Sequence, residues 1–135
     1  MKRILFVMLV LAVLVLSSCG APGPSSTIDV ALTDFQFTPN FFTIPAGATI
    51  TVNVSNTGAV VHNFVIMKLG TEVGAEWTDE EDAPNIYWQI QLEPGGTTSG
   101  TFIAPSEPGE YQVICSTPGH FMAGMIGKIV VVAGE

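Results

Sequence analysis

The sequence predicts an all-β sandwich of about seven short strands in a single domain. Three observations carry that prediction. Apolar residues recur at every second position in several short runs, glycine- and proline-containing turns interrupt the chain at short intervals, and no stretch holds a helical period over three turns. An antiparallel sandwich, whose two sheets bury their inward faces against each other, satisfies such a pattern.

The N-terminus stands apart from that pattern. Met1-Lys2-Arg3 is a short basic start, Ile4 to Leu16 is an unbroken apolar run of 13 residues, and Ser17-Ser18-Cys19-Gly20 follows with small side chains. This is the three-part layout of an export signal. The run is shorter than the roughly 20 apolar residues needed to span a bilayer. Leu16-Ser17-Ser18-Cys19 resembles the bacterial lipobox, whose cysteine carries lipid and becomes the first residue of the mature chain. Residues 1–18 are therefore expected to be a signal peptide. Residues 19–26, with "GAPGPSS", would form a flexible tether anchored by lipid on Cys19, and 27–135 the folded domain. Ordinary secretion with cleavage nearby, or an uncleaved apolar anchor, is the alternative.

Within the domain, Ile28, Val30 and Leu32 keep one phase while Phe35 and Phe37 keep the other, which predicts a bulge or bend near Thr33-Asp34. Ile50, Val52 and Val54 alternate with Thr49, Thr51, Asn53 and Ser55, the pattern of a half-buried strand. Further strands are expected over 61–68, 97–103, 110–115 and 126–133. Pro45-Ala46-Gly47, Pro94-Gly95-Gly96 and Pro108-Gly109 punctuate them. Residues 70–90 are polar and acidic, and read as a flap packed on the sandwich by Trp77, Tyr87 and Trp88.

Charge narrows the partners. Loss of Lys2 and Arg3 with the signal leaves Lys68 and Lys128 against all 12 acidic residues, which excludes nucleic acid as an expected partner and favours basic ones. The run Glu72, Glu76, Asp79, Glu80, Glu81, Asp82 is either a steering surface for such a partner or an ordinary solvated face.

The chemistry gathers in "CSTPGHFMAGM", residues 115–125. There Cys115, His120 and Met125 stand five residues apart in a chain with two cysteines and two histidines. The other histidine, His62, lies near the start of a predicted strand with Phe64 and Ile66 on the same face. Pro118-Gly119 can turn the chain back toward Cys115, and Gly124 can allow a second close backbone approach before Met125. Two imidazoles, one thiolate and a weak thioether suit a trigonal copper site; zinc would prefer a fourth strong donor, and calcium or magnesium would prefer oxygen. A disulfide from Cys115 to Cys19 and a merely buried Cys115 are the competing readings.

With those residues in view, the chain resembles the cupredoxins, the small blue copper proteins. "VHNFVI" with "CSTPGHFMAGM" is most similar to the auracyanins. The resemblance implies a Greek-key β-sandwich of about seven or eight strands with one acidic flap, holding one type 1 copper on His62, Cys115, His120 and Met125. It also implies that Asn63 braces the ligand loop and hydrogen-bonds around the thiolate. Met122 is a rival axial donor, disfavoured because it follows His120 by only two residues. No bond is assigned to the carbonyl of Val61.

The function implied is an electron carrier, a monomer on the outer face of a bacterial cytoplasmic membrane. It would exchange single electrons with redox partners such as a cytochrome or a membrane electron-transfer complex. His120 would be the port, beside an apolar patch of Phe121, Met122 and Ala123 that alternatively closes the core. A copper chaperone or store is the other reading. An enzyme is not expected: multicopper oxidases need further histidines and a binuclear centre needs a second cysteine in the loop, although a Cys115–His pair could in principle act as a nucleophile.

Overall fold

A computed structural model gives the structure of residues 23–134. The expected signal peptide, the lipid on Cys19 and the start of the tether lie outside the described residues. Nine strands are present among the described residues: β1 (Thr27–Thr33), β2 (Gln36–Thr38), β3 (Phe41–Pro45), β4 (Thr49–Asn56), β5 (His62–Met67), β6 (Ile86–Leu92), β7 (Thr97–Ile103), β8 (Gly109–Ile114) and β9 (Ile126–Val132). They form one sheet in the order β2-β1-β4-β7 and a second in the order β3-β9-β8-β5-β6. The all-β sandwich is thus present, with two strands beyond the seven read from the alternation.

The sheets are mixed rather than wholly antiparallel. β1 runs parallel to β4, with Ile28 opposite Val52, and β3 runs parallel to β9, with Phe42 opposite Ile129. A parallel neighbour requires a crossover connection, and β2 and β3 supply part of it between β1 and β4. β3 escaped the sequence reading because it is short and ends in Pro45, although Phe42 and Ile44 are buried and alternate with Phe41 and Thr43. The phase change after Leu32 is not a bulge. Asp34 and Phe35 form a tight turn between β1 and β2, with Thr33 paired to Gln36, and only Phe37 of the two phenylalanines returns to the core.

The acidic flap is also shorter than expected. Its last part is strand β6, paired along β5 with His62 opposite Leu92. Trp88 packs on Phe102 with ring centroids 5.1 Å apart, and Tyr87 donates its hydroxyl to the carbonyl of Ile103 at 2.8 Å, so these two aromatics join the sheets at their open side. What remains of the flap holds one α-helical turn, α1 (Asp79–Asp82), followed by a 3₁₀ turn over Ala83–Asn85. Its N-cap Thr78 accepts from the Glu81 N–H, and buried Asp82 accepts from the Thr78 N–H at 2.8 Å.

β5 is buried at every position. Phe64 and Ile66 face the core, where Phe64 meets Phe37 of the other sheet and Phe42 of β3, in its own sheet, edge-on at 5.4 and 5.8 Å. Val65 and Met67 face outward into a second cluster with Val73, Ile114 and Phe121, which Trp77 of the flap covers. A strand walled on both faces holds its side chains rigidly. His62 shares the inward phase of Phe64.

Tyr111, 2% exposed in β8, donates its hydroxyl to the carbonyl of Glu107 four residues back at 2.7 Å. This matches the tyrosine corner common in sandwich folds. Burial, followed by the charges of Glu107 and Tyr87, raises its pKa above the usual phenol value of 10.0. The folded chain therefore holds this proton more tightly than the unfolded chain. Its stabilisation is complete below about pH 10 and falls as pH rises past that point, where the unfolded tyrosine ionises first. Tyr111→Phe is expected to lower unfolding free energy by about 1 kcal/mol and to flatten the loss of stability above pH 10, both read by denaturant unfolding at several pH values.

Candidate metal centre

Three of the donors singled out in the sequence meet at one end of the sandwich. The Nδ1 atoms of His62 and His120 lie 3.1 Å apart. The Cys115 Sγ lies 3.9 Å from the first and 3.5 Å from the second. All three residues are buried, and no other group of three or more His, Cys, Asp or Glu side chains suited to a metal occurs among the described residues. Cys115 is in no disulfide there.

These separations fit a shared metal ion. Bonds of about 2.0 Å to nitrogen and 2.3 Å to sulfur, as in first-row metal sites, put trigonal donors roughly 3.5–3.7 Å apart, and the observed values bracket that range. Two nitrogens and a sulfur, with no carboxylate among them, are a soft to borderline set suited to copper.

Local sequence explains the convergence. Cys115 follows the last residue of β8 and continues its inward phase from Tyr111 and Val113. Gly119 and Gly124 take φ values of +82° and +94°, which strongly favour glycine. A Cβ on Gly124 would meet nothing, so this glycine is required for its backbone conformation and not, as expected, for a close approach. The loop closes on itself: Cys115 N–H donates to the Met125 carbonyl at 3.2 Å, Met125 N–H to the His120 carbonyl at 3.0 Å, and His120 N–H to the Thr117 carbonyl at 3.0 Å.

Met125 is completely buried in the core cluster that also holds Cys115, whereas Met122 is 66% exposed. Phe121 is buried in the second cluster, so of the expected apolar patch it closes the core while Met122 and Ala123 face solvent. A cleft of about 630 Å³ separates the ligand loop from the flap, with Thr117, Pro118 and Met122 on one wall and Glu76, Trp77 and Asp79 on the other.

Asn63 clamps the loop to β5. Its side-chain NH₂ donates to the Ser116 hydroxyl, and its carbonyl accepts from the Ser116 N–H, each at 2.7 Å. The bracing role is present, directed at the residue after the cysteine. The carbonyl of Val61 accepts from the Thr117 hydroxyl at 3.1 Å, a third tie between the histidine strand and the cysteine loop.

The β1–β2 turn touches both imidazoles, which the sequence reading missed. The His62 Nε2 lies 3.3 Å from the Asp34 Oδ1. The next residue, Phe35, stands edge-on to His120 with ring centroids 5.1 Å apart. Phe35 takes a φ of +65°, unusual outside glycine and costing on the order of 1 kcal/mol. A bend at Thr33-Asp34 was legible; its contact with a strand 28 residues on was not. The Ala59 N–H, followed by His62, holds the Asp34 carboxyl below its ordinary pKa, so it is a carboxylate at neutral pH. Burial, then the neighbouring His62, lowers the pKa of His120, outweighing the opposite pull of Asp34. A neutral imidazole with a free lone pair is the form a metal needs.

The sequence pattern of copper-binding proteins of the plastocyanin/azurin family matches residues 25–132. Auracyanin-A of Chloroflexus aurantiacus is 32% identical over 92% of this chain and 96% of its own length. Auracyanin-B of the same organism is also 32% identical, over 80% of this chain, but the chain spans only 53% of that protein's length. The solved structure of a dithionite-reduced auracyanin from Roseiflexus castenholzii superposes with a TM-score of 0.70 at 36% identity, covering 82% of this chain and 99% of the other.

Proposed function

Because the chain belongs to the plastocyanin/azurin family of copper-binding proteins, we propose that it is a one-electron carrier rather than an enzyme. The observation that carries the reading is the buried meeting of two imidazole nitrogens and one sulfur within 4.8 Å of one another. His62, Cys115 and His120 would hold the ion, with buried Met125 as a weaker fourth donor. Bound copper would supply a Cu(II)/Cu(I) couple suited to one-electron exchange between a reduced and an oxidised partner, with no bond in either made or broken.

The protein's own part is to keep the donors still. The paired Asn63–Ser116 bonds, the Thr117–Val61 bond and the doubly buried β5 fix both walls of the site, so little rearrangement accompanies a change of charge. His120 lies at the rim, 6% exposed beneath half-exposed Phe35 and beside Met122. This small apolar surface suits a brief encounter with a cytochrome or a membrane electron-transfer complex. The exposed carboxylates Glu72, Glu76, Glu80 and Glu81 favour a basic partner. A lipid on Cys19 would keep a monomeric carrier at the outer face of the cytoplasmic membrane. Among the described residues no helix is long and apolar enough to cross one.

Titration of the apo-protein with Cu(II) tests the reading: an intense visible thiolate-to-copper band that vanishes on reduction and returns on oxidation is expected. Reversible voltammetry with very slow copper loss supports a carrier; ready transfer of copper to an apo-acceptor supports a chaperone or store instead. Met125→Leu is expected to keep most of the band. Loss of a donor that favours Cu(II) by about 10- to 100-fold raises the potential by about 60–120 mV, measured by the same voltammetry.

A further inference from the structure

We propose that Asp34 is a positioning residue for His62, its carboxylate fixing the ring so that Nδ1 faces the metal and favouring Cu(II) over Cu(I). The inference rests on the copper reading of the site and extends it to a residue outside the donor set.

The geometry sets the two ring nitrogens of His62 different tasks. Nδ1 points at Cys115 and His120, and Nε2 points away from them to the Asp34 Oδ1 at 3.3 Å. A carboxylate accepts and does not donate, so the proton of a neutral ring is held on Nε2 and the lone pair is left on Nδ1. Negative charge behind an imidazole makes it a stronger donor, and the more highly charged oxidation state of the metal gains more from that donation.

The surroundings of this contact are built. Asp34 Oδ1 also accepts the Ala59 N–H at 3.1 Å, which holds the carboxylate in place. Gly58 lies across the pair: a Cβ there would fall 2.6 Å from both the Asp34 Oδ1 and the His62 Nε2, closer than such atoms approach. The backbone of residues 57–59 therefore covers the hydrogen bond as only a glycine could. Buried Asn56 fixes that cover, accepting the Gly58 N–H at 2.9 Å and donating to the carbonyls of Val60 and Leu92. The Asp34 side chain is 49% exposed. Solvent screens its charge, which places the expected effect at the lower end of the 10- to 100-fold range typical of such outer partners.

Asp34→Asn retains an acceptor of the same shape for both N–H groups and removes the charge. Gly58→Ala keeps the charge and wedges the pair apart. In full-length protein loaded with Cu(II) sulfate, each substitution is expected to weaken Cu(II) binding relative to Cu(I) about tenfold, raising the potential by about 59 mV. In apo-protein, ¹⁵N shifts of the His62 ring should report a proton held on Nε2 in the wild type and a mixture of tautomers in Gly58→Ala. Unchanged potentials in both variants, with the wild-type visible band present, would overturn the role of Asp34 and leave the copper reading standing. Absence of the band from the wild type would remove both. Unfolding midpoints of the two apo-variants near that of the wild type show that a shift belongs to the site rather than to lost structure.

Discussion

Cys115→Ser is expected to abolish the visible charge-transfer band and to weaken Cu(II) binding by more than about 100-fold, beyond the usual cost of losing an orienting partner. The sulfur is the one soft donor in the three-residue cluster, and it lies within 3.9 Å of both imidazole nitrogens with no solvent exposure. A hydroxyl is a poor ligand at neutral pH, and no carboxylate belongs to the cluster to replace it. Competition against a chelator of known affinity gives the loss, and the spectrum gives the band. Retention of the band would show that the chromophore lies elsewhere. The apo-variant should fold, because serine is slightly smaller than cysteine, so binding and folding are read separately.

Asn63→Ala is expected to lower the unfolding free energy of the apo-protein by about 2–4 kcal/mol, since it removes two short hydrogen bonds and leaves the Ser116 N–H without its acceptor. The same change frees the loop from β5, and copper release should quicken about 10- to 100-fold. Urea unfolding and transfer of copper to a chelator measure the two effects. Asn63→Asp restores an acceptor for the Ser116 N–H but no donor for its hydroxyl, and should recover part of the stability. If Asn63→Ala unfolded like the wild type, the clamp would be incidental to the loop's conformation.

The residues brought together at this end of the sandwich were legible because their chemistry is scarce. In a chain with two histidines and two cysteines, the spacing of Cys115, His120 and Met125 limits what the loop can do, and the period of two placed His62 with Phe64. Strand β4 was legible for a related reason, as its buried Ile50, Val52 and Val54 alternate without interruption. β6 shows the opposite case. Its alternation of Ile86, Trp88 and Ile90 was present in the sequence, but the acidic stretch before it drew the whole segment into a flap. The parallel pairings of β1 with β4 and β3 with β9 leave no mark on local periodicity, because strand direction is set by where the chain crosses between sheets. Asp34 was hidden likewise: its contact with His62 exists only once β1, β4 and β5 are assembled, and an aspartate in a turn needs no such partner to be explained.

The tie between the backbones of Cys115 and Met125 has a consequence for engineering. Ile114 pairs with Ile126 across β8 and β9, so the sheet register is complete before the intervening residues begin. Residues 118–124, beyond the ties of Ser116 and Thr117 to β5, are a segment whose length the β-ladder does not read. Segments that set the imidazole and thioether at other intervals are therefore expected to join the same two strands without redesign of the sheet.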